Sequence, residues 1–269
     1  MSLGVLVAII LWQQFAGESV GSVSDRYGGS LSDAVTSVDL DRAKVLLGGG
    51  ADANEPVVQG FTPIMRAAIR DDTEMVDLLL DAGADLDAVA LEGLAVLHIA
   101  AEAGAVNAVG ALLGAGADPD VRSHNGMNAL EHAAAAGSAG AIRIIAVTGA
   151  DVDAQSEITT QGHGYPVDIG STALGIAARS GHTEAMVALL DSGAFVDATS
   201  LIGHTPLLVA IFAGQPPEVV SLLLDAGADP TVTAVCRTRC SYDVGDALTW
   251  AHRIGDPSVV PLIEAALDR

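Results

Sequence analysis

The residues of this 269-residue chain that could carry chemistry are few and poorly spaced for it. Cys236 and Cys240 are the only cysteines. A three-residue spacer can close a small disulfide ring, an outcome favoured by an even cysteine count in an exported chain. Free thiols or a shared metal are the alternatives, but a structural zinc site wants four ligands. His163 and Asp168 stand on the glycine-rich stretch Gly162-His163-Gly164-Tyr165-Pro166, again two donors where a closed site needs more. Glu131-His132 has no second histidine four residues on, which removes the zinc-protease helix. Ala136-Gly137-Ser138-Ala139-Gly140 comes within one residue of a nucleophile elbow, but that motif works between a strand and a helix. Here the sequence reads as helix on both sides, so the glycines belong to a turn and Ser138 is expected to cap the second helix. The chain is therefore expected to be no enzyme and to bind no metal and no cofactor.

The elements that position these residues follow from a repeat. Gly50-Ala51-Asp52 recurs at Gly83, Gly116, Gly149 and Gly227, with Gly193-Ala194-Phe195 as a variant, and successive glycines lie 33, 33, 33, 44 and 34 residues apart. An apolar residue keeps the same beat at Leu31, Ile64, Leu97, Leu130, Leu174, Leu207 and Leu248. A period in this range marks a stack of seven supersecondary units, each contacting only its neighbours. In the second unit Thr62-Pro63 opens a helix, with proline where its missing N–H costs nothing, and Ile64, Ala67 and Ala68 form its apolar face. Asp71 and Asp72, expected to be solvent-facing acids, fill a turn before a second helix beginning at Thr73. Gly83 ends that helix in the left-handed conformation, and Asp85-Leu86-Asp87-Ala88 leaves in extended form. In the last unit Pro261 is expected to shorten or bend the second helix.

Gly60-x-Thr62-Pro63, Gly203-His204-Thr205-Pro206-Leu207, Gly181-His182-Thr183-Glu184 and the recurrent Leu-Leu-x-x-Gly-Ala-Asp together resemble the ankyrin repeat over residues 30–267. The resemblance implies an all-α solenoid of helix-turn-helix units joined by hairpin-like fingers, with fingers and first helices lining a concave face. It also implies that His98, at the Thr-Pro-Leu-His position, hydrogen-bonds backbone locally. Ala95-Val96 and Asn128-Ala129 depart from the Thr-Pro pair, Thr172-Ala173 keeps only its threonine, and Val244 replaces a glycine.

Composition narrows the partner. The formal net charge is −22, from 34 Asp plus Glu against 12 Lys plus Arg, and Lys44 is the single lysine. Nucleic-acid binding needs a basic stripe that releases counterions, and this chain has none; a basic protein steered in over long range fits instead. Half of the residues are hydrophobic and 3% aromatic, the composition of thin layers of Ala, Leu, Ile and Val. Leu3 to Trp12 is an apolar run too short to span a membrane. It suits the centre of a secretory signal, although the positively charged start is missing. Residues 1–22 are therefore expected to be a signal peptide or an N-terminal anchor, 23–29 a linker, and the protein to be exported. A membrane-anchored or cytoplasmic location is the alternative.

Two long insertions break the period, at 155–169 and 230–246, and both fall in fingers. The second carries Arg237, Arg239 and Tyr242 between and beside the two cysteines, and Arg and Tyr dominate many interfaces. With His163 and Tyr165 of the first insertion, and Leu91, His124 and Leu201 of three regular fingers, they are the candidate protein-binding residues. The reading is a protein-protein interaction module, monomeric on its own, that touches a membrane only if its N-terminal segment is retained. An inhibitor or immunity protein for a secreted enzyme, or an envelope-tethered scaffold, are the alternatives.

Overall fold

A computed structural model describes residues 29–56, 60–156, 170–235, 244–254 and 257–268. Among them run seven helix pairs: α1 (Leu31–Thr36) and α2 (Leu40–Gly48), α3 (Pro63–Ile69) and α4 (Thr73–Asp81), α5 (Val96–Ala103) and α6 (Val106–Gly114), α7 (Ala129–Ala136) and α8 (Ala139–Val147), α9 (Ala173–Ser180) and α10 (Thr183–Asp191), α11 (Pro206–Phe212) and α12 (Pro217–Asp225), α13 (Ala247–Ile254) and α14 (Val260–Leu267). First helices pack on first helices in chain order, and second helices form a parallel layer. The fold is the expected all-α solenoid.

The beat residues Leu31, Ile64, Leu97, Leu130, Leu174 and Leu207 are all buried, and alanines beside them let the layers approach closely. The last unit differs. Leu248 is half-buried, and Trp250 is the large side chain that α13 buries fully.

The starts of α5, α7, α9 and α11 follow from their sequences. Thr172 and Thr205 accept the amides of Gly175 and Leu208, each at 3.3 Å. Where Asn128 replaces threonine, it accepts Glu131 N–H (2.9 Å) while Glu131 Oε2 accepts Asn128 N–H (2.8 Å), a reciprocal cap. Ala95 has no side-chain oxygen, and His98 Nδ1 accepts the Ala95 amide instead (3.0 Å).

Two expectations need correction. Ser138 holds the N-cap position of α8 without a side-chain bond to it; its hydroxyl lies toward Gly104 of the preceding unit. Pro261 stands in the first turn of α14, where an N–H has no partner to lose, and α14 is 8 residues long against 9 for each of the other second helices. Asp71 and Asp72 are half-buried caps rather than free acids. Asp72 Oδ1 accepts Met75 N–H (3.1 Å) at the start of α4. Asp71, at φ 57°, reaches into the next unit to accept Ala108 N–H (2.7 Å) and Asn107 Nδ2–H (2.8 Å). It thereby caps α6, whose own N-cap is Ala105. Asp71→Ala is expected to cost about 1 kcal/mol, as for loss of an ordinary N-cap, read as a lower urea midpoint at unchanged slope. A midpoint equal to wild type would deny the cross-unit cap.

Candidate protein-interaction surface

Between the pairs run the fingers, and their backbone closes in one pattern. Ala90 N–H donates to Leu94 O (3.0 Å), Ser123 to Met127 O (3.0 Å), Ser156 to Ser171 O (3.2 Å) and Ser200 to His204 O (2.9 Å). Antiparallel bridges pair Val89 with Ala95 and Gln155 with Thr172. In the last finger β1 (Ala234–Val235) pairs with β2 (Val244–Gly245). The first long insertion therefore grows from a stem bonded like that of a regular finger.

All but one of the fingers open on an aspartate, Phe195 being the exception. Asp85, Asp118 and Asp151 each accept the amide two residues on, at 2.9 to 3.1 Å. Asp229 accepts both the amide and the hydroxyl of Thr231 (2.8 and 2.7 Å), bonds that hold its carboxyl below the usual range. The residue at the second position reaches forward to the next unit. Asn54 Oδ1 accepts Asp85 N–H (2.7 Å), Asp153 accepts Phe195 N–H (3.0 Å) and Asp197 accepts Asp229 N–H (3.1 Å). Partial burial raises the carboxyls of Asp153 and Asp197. These three bonds each tie one finger to the next, and the acids at the finger openings leave carboxylates along the stack.

Three of the sequence-derived candidates lie on described fingers. Leu91 is 47% and Leu201 61% exposed, and His124 is exposed between them along the chain. His124 donates its amide to Glu92 O (2.8 Å). A Cβ on Gly93 would stand 2.3 Å from the His124 ring, and one on Gly170 would stand 2.2 Å from Leu201 Cγ, so both side chains lean on the finger before their own. Val89 (55%) and Phe195 (60%) add exposed apolar surface that sequence reasoning passed over; Phe195 announced itself by replacing the aspartate of the repeat. Cys236, Arg237, Arg239, Cys240, Tyr242, His163 and Tyr165 lie outside the described residues.

Beneath the fingers is a buried polar cluster that reading each histidine singly did not reveal. His132 Nε2 is 2.9 Å from Ser123 Oγ and its Nδ1 is 3.3 Å from Glu102 Oε2. All three residues are buried. The His98 and His132 rings are 5.1 Å apart. His98 Nε2 lies 2.8 Å from Val121 O, and burial, then the neighbouring His132, lower its pKa to about 4. The serine–histidine–glutamate geometry has the order of a hydrolase triad, but its serine is closed off from substrate. Glu102 was the available signal, a lone acid in a helix built, His98 apart, of small and apolar residues.

Stacked helix pairs with finger hairpins define a repeat solenoid whose working surface is assembled across units. The pattern described as "Ankyrin repeats (3 copies)" matches residues 31–123 and 156–234. The chain belongs to the ankyrin repeat family. An ankyrin repeat protein of Rickettsia bellii (strain RML369-C) is 34% identical over 79 residues, which span 29% of this chain and 33% of that relative. Among solved structures, the human ASB11 ankyrin repeat domain superposes with a TM-score of 0.70 at 23% identity, covering 88% of this chain and 97% of that one. The ankyrin repeat domain of Bcl-3, a member of the IkappaB protein family, gives 0.69 at 24% identity, covering 88% and 99%. Among the described residues no helix is long and apolar enough to cross a membrane.

Proposed function

We propose that the protein is a binding module that holds a protein partner, basic in character, along its fingers and concave face. The first insertion and the Cys236 to Tyr242 segment would supply specificity. The observation that supports this reading is the recurrence of one kind of stem: Gln155 pairs with Thr172 and Ala234 with Gly245, as Val89 pairs with Ala95 at the finger that carries the exposed Leu91. The carboxylates along the stack support a basic partner, since like charge would be repelled and opposite charge steered in. An exported location, proposed from the Leu3–Trp12 run, would let Cys236 and Cys240 form a disulfide and so stiffen the second insertion.

With the partner in hand, Arg237→Ala with Arg239→Ala is expected to weaken binding by about 2 kcal/mol or more, the hot-spot level, with the fold intact by circular dichroism. Exposed acids on α4, such as Asp77 and Asp81, should instead change mainly the association rate and its salt dependence. Unchanged affinity in the double variant, together with loss at His163 or Tyr165, would move the specificity element to the first insertion.

A further inference from the structure

The His98–His132 cluster joins the third unit to the fourth, and its hydrogen bonds fix where the His98 ring proton sits. His98 Nδ1 accepts the Ala95 amide (3.0 Å), so the ring proton is on Nε2 and donates to Val121 O (2.8 Å). Both ring nitrogens are used, and the ring is neutral. A further proton can enter only at Nδ1, where it would face the Ala95 N–H, donor against donor, with the His132 ring 5.1 Å away. The charged ring would have to leave, and two things would go with it. Ala95, the N-cap of α5, has no side-chain oxygen to take over. Val121 opens the finger that carries Ser123 and His124 and that donates the His124 amide to the preceding finger at Glu92 O.

We propose that His98 is a proton-operated latch between the third and fourth units, closed at neutral pH and opening more often in mild acid, so that the start of α5 and the finger at residues 121–127 are released more frequently. The ionisable groups around it are Glu102 on α5, Glu131 and His132 on α7, and Arg122 and His124 on the finger. Of the elements packed behind, α3 brings Arg66 and Arg70, both bonded to α1, α8 brings Arg143 and α9 brings Arg179, whereas α6 carries no charge. Glu102 lies 3.3 Å from His132 Nδ1; at His98 burial and then the adjacent ring outweigh its attraction, and the pKa in the closed state is about 4. An opened His98 regains the ordinary value near 6.5. Opening therefore takes up a proton and becomes easier as pH falls from about 6.5 toward 4, by up to tenfold per pH unit. Any consequence for binding rests on the interaction reading above; the latch itself does not, and its test needs no partner.

The test is amide hydrogen exchange by NMR on the full chain at pH 7 and pH 5, corrected for intrinsic rates. Protection at Ala95, Ser123 and His124 is expected to fall at least tenfold, while Ile176 and Val209, in α9 and α11, change less than twofold. His98→Gln, which keeps both hydrogen-bond partners and cannot be charged, should abolish the difference. A proton–nitrogen spectrum of the wild-type rings should show His98 still neutral and Nε2-protonated at pH 5.5, where an unperturbed histidine is roughly nine-tenths protonated. This decides the matter if the variant does not fold. His98 titrating near 6.5, an acid response that survives His98→Gln, or equal loss of protection in every unit would each overturn the latch.

Discussion

Trp250→Ala is expected to destabilise the chain by about 3–5 kcal/mol, the range for removing a buried large aromatic. Trp250 is fully buried in a chain with few aromatic residues, so no neighbour of similar size can close the cavity. Its ring meets Phe212 edge-on at 5.3 Å, and Phe212 in turn lies 5.0 Å from His204. The indole N–H donates to Gly245 O (2.8 Å), and the Arg253 guanidinium lies over the ring at 5.1 Å. One side chain thus fastens α13 to α11 and to the stem of the last finger. Because a repeat stack gains its stability from neighbouring interfaces, the loss should appear first at the C-terminal end. The circular-dichroism transition in urea should lose its single step, with α13 and α14 melting before the rest. A single transition shifted by less than about 1 kcal/mol would show that the last unit is held some other way.

The second large effect is a graded series at three glycines that close or leave helices. Gly48, the last residue of α2, has open space around its α-carbon and ordinary dihedrals, so Gly48→Ala should be neutral or stabilise by about 0.5–1 kcal/mol. Gly83 also has open space but sits at φ +83°. Gly83→Val must force a β-branched residue into the left-handed region, at a cost on the order of 1–3 kcal/mol. Gly137, the C-cap of α7, adds a blockade to a φ of +75°. A Cβ there would stand 2.9 Å from the His182 ring, which reaches back from the next unit to Ala135 O (3.2 Å). Gly137→Val is expected to cost about 3 kcal/mol or more, because it pushes neighbouring units apart as well as straining one turn. Urea midpoints should fall in that order; equal shifts at all three positions would place the helix ends wrongly.

The repeat made most of the fold legible, because each unit restates the same helix starts, helix ends and finger, and the left-handed Gly83 is one position read correctly in advance. What escaped reading were contacts between units that no single unit announces. Asp71 reads as a turn acid because its partner, the Ala108 amide, lies 37 residues further on; the signal was on the other side, a helix opening at Ala105 with no capping oxygen. Ser138 misled for the converse reason, holding the capping position while its hydroxyl turned toward the unit before. The His98, Glu102, Ser123 and His132 cluster draws on two helices and a finger, so its members look ordinary one at a time. Of the candidate surface, the exposure of Leu91, His124 and Leu201 on their fingers was legible by register alone. Val89 was not, since nothing in its sequence position separates an exposed finger valine from a buried one.

The central claim, that a protein partner lies along the fingers, is tested most directly by site-specific photo-crosslinking in the native cell. A photoreactive residue placed at Leu91, His124 or Leu201 should capture one and the same protein. The same residue at Val147 or Val187, exposed on the second-helix layer, should capture little. Capture from Val147 or Val187 with silence at the three finger positions would contradict the account.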